Sequence, residues 1–227
     1  MRDLHGAIRN AIREVLDPAK LAYVVLLHWE GDENGGMDQF MKEALKSELI
    51  ASILSIQLNA VGFGLAERAR GFRDGEMLDL GTHKLRFLET PHVHHWDSMM
   101  VIDETSRSLF PSDLFIQPAD QPPLVTENLS TPMLDLYRAA GIFAHELPIR
   151  QVVDRLEKMN LARVHRCTEA RLSKTPSRIM RERCVKTNSL IAGCYSAAKS
   201  RKSHRCKTFT AVTLLLFPGL LVREPSV

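Results

Sequence analysis

The sequence predicts an α/β domain over residues 1–165, on three observations. Residues 21–27, "LAYVVLL", form a short continuous apolar run rich in β-branched side chains, the pattern of a strand buried on both faces. Stretches of helical periodicity alternate with such runs along the chain. Imidazoles and carboxylates collect where the apolar runs end, and in α/β folds ligands gather on the loops just past strand C-termini.

Each element follows from local pattern. Leu4, Ile8, Ile12 and Val15 share one helical face, and Pro18 stops that helix. After the 21–27 strand, "MDQFMKEALKSE" (37–48) reads as a helix, and 49–69 as a strand followed by a helix. "EMLDLGTHKLRFLETP" (76–91) reads as two short strands around a turn at Gly81. Residues 98–115 read as strand, turn, strand and a polar loop at Ser112 and Asp113. Residues 133–145 and 148–159 are predicted helices, and "LARVH" (161–165) starts another strand.

Composition divides the 227 residues in two. Residues 1–165 carry 17 Lys+Arg against 24 Asp+Glu, whereas 166–227 carry 13 against 3. All four cysteines (Cys167, Cys184, Cys194, Cys206) lie in the second segment, with spacings unlike a zinc site. Its basic run "KSRKSHRCK" (199–207) has no folded nucleic-acid motif around it, so no nucleic-acid partner is expected. "MRDLHGAIRNAIREVL" is amphipathic with mixed charge rather than a signal core. The apolar stretch 211–222 is broken by Pro218 and Gly219 and is too short to span a bilayer. The expectation is a cytoplasmic protein with no membrane partner. Glycines 62, 64 and 71 do not have phosphate-loop spacing.

Three clusters carry chemistry. His28, Glu30, Asp32 and Glu33 follow the first strand within six positions; imidazole with carboxylates suits iron, zinc or manganese, and the same acids also suit a helix N-terminus. His92, His94 and His95 crowd before Trp96, and neutral imidazole is the commonest metal ligand, although a solvated loop would read the same way. Asp113 ends an apolar strand, where a carboxylate needs a partner; a metal, a cap or a turn would each supply one.

Taken together, "HWEGDE", "HHWDSMM" and "FPSDLF" resemble the flavodiiron branch of the metallo-β-lactamase fold, the oxygen-binding di-iron domain. The family pattern is H-x-E-x-D-H, a His in an H-W-(P)-D-S-M context, a bridging Asp about eighteen residues later, and a late His. The resemblance implies a partial αββα sandwich lacking early strands over 1–165. It implies that His28, Glu30 and His95 hold one iron. Asp113 then bridges to a second iron that Asp32 helps to hold, and Asp113 stands eighteen residues after His95. Glu33 stands where the family has His, and His94 is a candidate for an outer hydrogen-bond donor. The implied ligands are dioxygen or nitric oxide, with electrons from a separate donor protein and no flavin on this chain. A complete fold would form a homo-oligomer. A metal-dependent hydrolase of the same fold is the alternative, although Glu30 replaces the second His of the hydrolase motif. An inactive truncated remnant is a third reading, with fewer than two irons per chain.

The late His is missing: family members read "HPMHGGSL" where this chain reads "HRCTEARL" (165–172), with Thr at 168. The codons these residues permit give the family motif if one base is inserted after His165. A single-base deletion would explain the charge reversal, the clustered cysteines and the lost ligand together. The expectation for 166–227 is therefore a frameshifted tail without a packed core; a genuine basic tail is the other reading.

Overall fold

The computed structural model describes residues 5–116, 124–125, 128, 130–166 and 183–185; the side chains of Asp32 and Glu33 lie outside the described residues. The first strand, β1 (Tyr23–Val25), forms within the expected apolar run, and the Leu26 N–H extends its ladder to the Ile50 carbonyl at 2.8 Å. Successive strand side chains point to opposite faces. Val24 and Leu26 accordingly join one core cluster, while Val25 and Leu27 join another. Burial on both faces is why this run has no polar alternation.

β1 lies in a parallel three-stranded sheet, order β1-β2-β3, with β2 (Glu48–Ser52) and β3 (Ala69–Phe72). The outer face of this sheet packs on α1 (His5–Arg13) through Ile8 and Ile12. A short turn of helix, α2 (Gly31–Asn34), precedes α3 (Met37–Glu43), whose Met37, Phe40 and Met41 complete that layer. The helix expected over 37–48 stops at Glu43. The Arg68 guanidinium explains the stop: it donates to the carbonyls of Met41, Ala44 and Ser47 at 2.9, 2.7 and 2.9 Å, satisfying groups that a helix end leaves open. After β2, α4 (Ile53–Ser55) runs into a wider helical turn at Ile56–Ala60, matching the expected strand-then-helix. Gly71 follows in β3, where an added Cβ would lie 2.5 Å from the Ile53 Cα; its role is this close backbone approach.

The second sheet has seven strands, in the order β4-β5-β6-β7-β9-β10-β8. β4 (Met77–Asp79), β5 (Lys84–Glu89), β6 (Met99–Asp103) and β7 (Ser108–Phe110) fall in the stretches expected to be strands and form an antiparallel meander. β8 (Leu124–Val125), β9 (Arg163–Arg166) and β10 (Arg183–Val185) complete it. Alternation again sorts the side chains. Met99 and Val101 of β6 face the first sheet with Phe87, and Met100 and Ile102 face the opposite side. There they meet Met133 and Tyr137 of α5 (Ser130–Ala140) and Val152 and Leu156 of α6 (Glu146–Glu157). The layers are therefore helix, sheet, sheet, helix. α5 ends five residues before its predicted limit because Gly141, at φ 62°, turns the chain. α6 begins two residues early because the His145 ring accepts from the Leu147 N–H at 3.0 Å, leaving Pro148 in the first turn, where its missing N–H costs nothing. Among the described residues, no helix is long and apolar enough to cross a membrane. Arg166 and β10 are strands, and the rest of the predicted tail lies outside the described residues.

His165 on β9 is buried and stacks on Phe110, ring centroids 4.7 Å apart. Burial, reinforced by Arg163 and opposed by Asp103, lowers its pKa to about 4. A depressed histidine leaves the unfolded chain holding the extra proton between about pH 6.5 and 4. Its contribution is thus present above pH 6.5 and lost as pH falls to about 4, by about 3 kcal/mol at most. Urea titrations at pH 7.5 and 5 should show this loss, and His165→Phe should flatten it.

Candidate metal centre

The site is built from the ends of three strands. His28 follows β1, and Glu30 lies two residues on, at the start of α2. His94 sits in the loop that leads into β6, and Asp113 follows β7. One donor atom from each of these four side chains lies within 4.8 Å of all the others. His28 Nε2 is 3.1 Å from Glu30 Oε2 and 3.6 Å from Asp113 Oδ2. His94 Nε2 is 2.9 and 3.5 Å from the same two oxygens. Two atoms each about 2.1 Å from a shared ion stand roughly 3.0–3.4 Å apart at octahedral or tetrahedral angles. The nitrogen–oxygen separations lie close to that range, and two imidazole nitrogens with two carboxylate oxygens make a donor set suited to iron, zinc or manganese.

Outer partners aim both rings. The Ile142 carbonyl, 3.3 Å from His94 Nδ1, can only accept, so Nδ1 carries a hydrogen and the neutral ring presents its lone pair at Nε2. His28 Nδ1 lies 2.8 Å from Ser112 Oγ, a contact that holds the ring's orientation whichever of the two donates. Among the described residues, four of the five non-glycine residues at positive φ (His92 64°, His94 68°, Ser112 54°, Phe115 73°) lie in the two loops carrying this centre. Such conformations cost of order 1–3 kcal/mol each and persist where the surroundings hold them. Ser112→Ala removes an outer partner and keeps a small side chain at that φ, so metal affinity should fall about 10–100-fold with the fold retained, by competition titration.

The charges are mutually adjusted. Burial works to raise the Glu30 pKa, but hydrogen bonds and charge from His94 and His28 outweigh it and hold the carboxyl below its usual range. Burial works to lower the His94 pKa, and Glu30, Asp113 and the Ile142 carbonyl together raise it instead. An arriving cation takes over the place of that proton.

Of the residues named from sequence, His28, Glu30 and Asp113 converge. Asp32 and Glu33 lie on α2 beside Glu30, and their side chains are outside the described residues. His95 stands next to the group rather than in it: its ring centroid is 5.7 Å from His28 and 6.4 Å from His94, and its Nδ1 is hydrogen-bonded to Asp97. Asp97 is fully buried and also accepts from the Trp29 N–H at 3.1 Å. His92 is exposed and apart from the group. The sequence did hold a signal for His94. In an H-W-P-D-S-M motif the histidine precedes the aspartate by three residues, and three residues before Asp97 is His94. Aligning on Trp96, with the proline skipped, selects His95 instead.

A layered αββα fold with such a candidate metal cluster at its strand ends defines a domain of the metallo-β-lactamase fold. Residues 2–165 match the model of the ODP family of β-lactamase-like domains, and the chain belongs to that family. It is 25% identical over 161 residues to the nitric oxide reductase of Moorella thermoacetica, an alignment covering 66% of this chain and 39% of that protein. It is 27% identical over 113 residues to the rubredoxin-oxygen oxidoreductase of Megalodesulfovibrio gigas, covering 49% of this chain and 28% of that one. A solved structure of the chemotaxis sensor ODP, described as a peroxy diiron species, superposes with a TM-score of 0.63 at 16% identity, covering 80% of this chain and 72% of the other. The chain thus spans between about a fifth and two fifths of the curated relatives it matches.

Proposed function

We propose that this chain is a non-haem di-iron domain that binds or reduces dioxygen or nitric oxide, taking electrons from a separate donor protein and no flavin of its own. The convergence of His28, Glu30, His94 and Asp113 on one point carries the reading. These four residues would hold the first iron. Asp113 would be shared with a second iron, which Asp32, Glu33 and His95 would help to hold, His95 being positioned by its Nδ1 bond to Asp97. Iron, when bound, would supply reversible one-electron redox chemistry. The residues around it set the charge: Glu30 and Asp113 offset the cation, and Ser112 and Ile142 fix the rings that face it. The names of the nitric oxide reductase and the rubredoxin-oxygen oxidoreductase support the choice of gases and an external donor.

The domain in this reading is residues 1–165, and the family match over 2–165 supports that limit. Residues 166–227 are read as a frameshift product, which sequencing the DNA across codons 165–168 tests. The functional test is anaerobic loading of the full chain with ferrous iron, followed by iron counting and by gas consumption with a chemical reductant. The expected result is up to two irons per chain, the second bound more weakly because Thr168 stands where the family has its late His, with loss of dioxygen or nitric oxide that depends on iron. Zinc bound in place of iron, or no iron-dependent gas consumption, would overturn the proposal.

A further inference from the structure

The fifth non-glycine residue at positive φ among the described residues, Arg107 at 55°, is far from the metal centre. It sits in the turn between β6 and β7, at the end of β6 opposite His94 and Asp97, about 15 Å along the strand. Glycine is the residue that takes this conformation without strain, and arginine does not. Its carbonyl accepts from the Ala162 N–H at 2.8 Å, which ties the turn to the entry of β9. Any residue would supply that carbonyl, so it does not account for the guanidinium.

Arg107 lines a cleft of ≈ 430 Å³ with Arg86, Ile102, Glu104, Met159, Asn160 and Leu161. Arg86 is ion-paired to Glu104, whereas Arg107 has no ion-pair partner among the described residues. Among the described residues the cleft thus combines an Arg107 side chain outside any ion pair, the Arg86–Glu104 pair, an Asn160 amide, and apolar lining from Ile102, Met159 and Leu161. A guanidinium presents a fork that matches a carboxylate bidentately. The apolar lining matches a hydrocarbon or aromatic body, which excludes inorganic phosphate as a good fit.

We infer that this cleft is a second binding site, separate from the metal centre, for a small organic acid whose carboxylate lies on Arg107 and whose apolar body lies on Ile102, Met159 and Leu161. Benzoate is the probe. Titrating it into the isotope-labelled full chain, followed by amide NMR, should give saturable shifts at Arg86, Ile102, Arg107, Asn160 and Leu161. Acetate should bind at least tenfold more weakly for want of an apolar body, and benzamide for want of charge. Arg107→Gln should raise the benzoate Kd tenfold or more. Arg107→Gly is the folding control: it relaxes the turn, so the melting temperature stays the same or rises while the benzoate response disappears. Non-saturable shifts, shifts elsewhere, equal binding of benzamide, or full binding by Arg107→Gln would overturn the inference. None of these readouts depends on iron, so the proposed function stands or falls separately.

Discussion

A His94→Gln chain should lose iron affinity by more than the roughly 10–100-fold that removing an outer hydrogen-bond partner costs. His94 Nε2 is one of only two nitrogens in the four-atom group, and glutamine has no imidazole lone pair to replace it. His95→Gln should leave the first metal position near wild-type affinity and reduce only the occupancy of a second. Its ring is beside the group and its Nδ1 is committed to Asp97. Competition titrations with a chromogenic chelator, with iron counted per chain, separate the two effects. If His95→Gln abolished all binding while His94→Gln bound normally, the assignment drawn from the convergence of Nε2 atoms would be wrong. The metal-free melting temperature provides the control. His94→Gln removes the imidazole that hydrogen-bonds a half-buried Glu30, so a small stability change is expected in that variant alone.

The pair of histidines also shows where the sequence stops being informative. His28, Glu30 and Asp113 were legible because each is fixed by the end of a strand, and strand ends are marked by where apolar alternation stops. His94 and His95 lie in a loop whose direction is set by two residues at positive φ, His92 and His94. A turn of that kind breaks the two-residue period, so neighbouring side chains cannot be assigned to faces by counting. The core was legible for the same reason as the strand-end ligands: in β6 and beyond β1, alternate residues go to different clusters. Helix ends were less so. α3 is stopped by Arg68, twenty-five residues past Glu43 in the chain, and no local window contains that contact. β3 has no counterpart in the sequence reading, which ran a helix to Ala69; "ARGF" is short, and its Gly71 is there for the nearness of Ile53.

Phe87→Ala should destabilise the fold by about 3–5 kcal/mol, the range for emptying a large aromatic from a core. Phe87 is fully buried between the two sheets and stacks on Phe72 with ring centroids 4.1 Å apart. It belongs to the cluster that holds Val25 and Leu27 of the first sheet against Met99 and Val101 of the second. The same contact fixes the metal centre. His28 follows Leu27, and the Leu27 carbonyl accepts from the Met99 N–H at 2.9 Å, five residues after His94. The two histidines therefore approach each other from different sheets, and the packing between those sheets sets their separation. A cavity at Phe87 loosens that packing, so this variant should lose both stability in urea and metal affinity, although no metal-facing group has changed. Phe87→Leu, which fills most of the volume, should recover most of both. Recovery of stability without recovery of metal affinity would show that the centre is positioned by its loops alone, independently of the core beneath it.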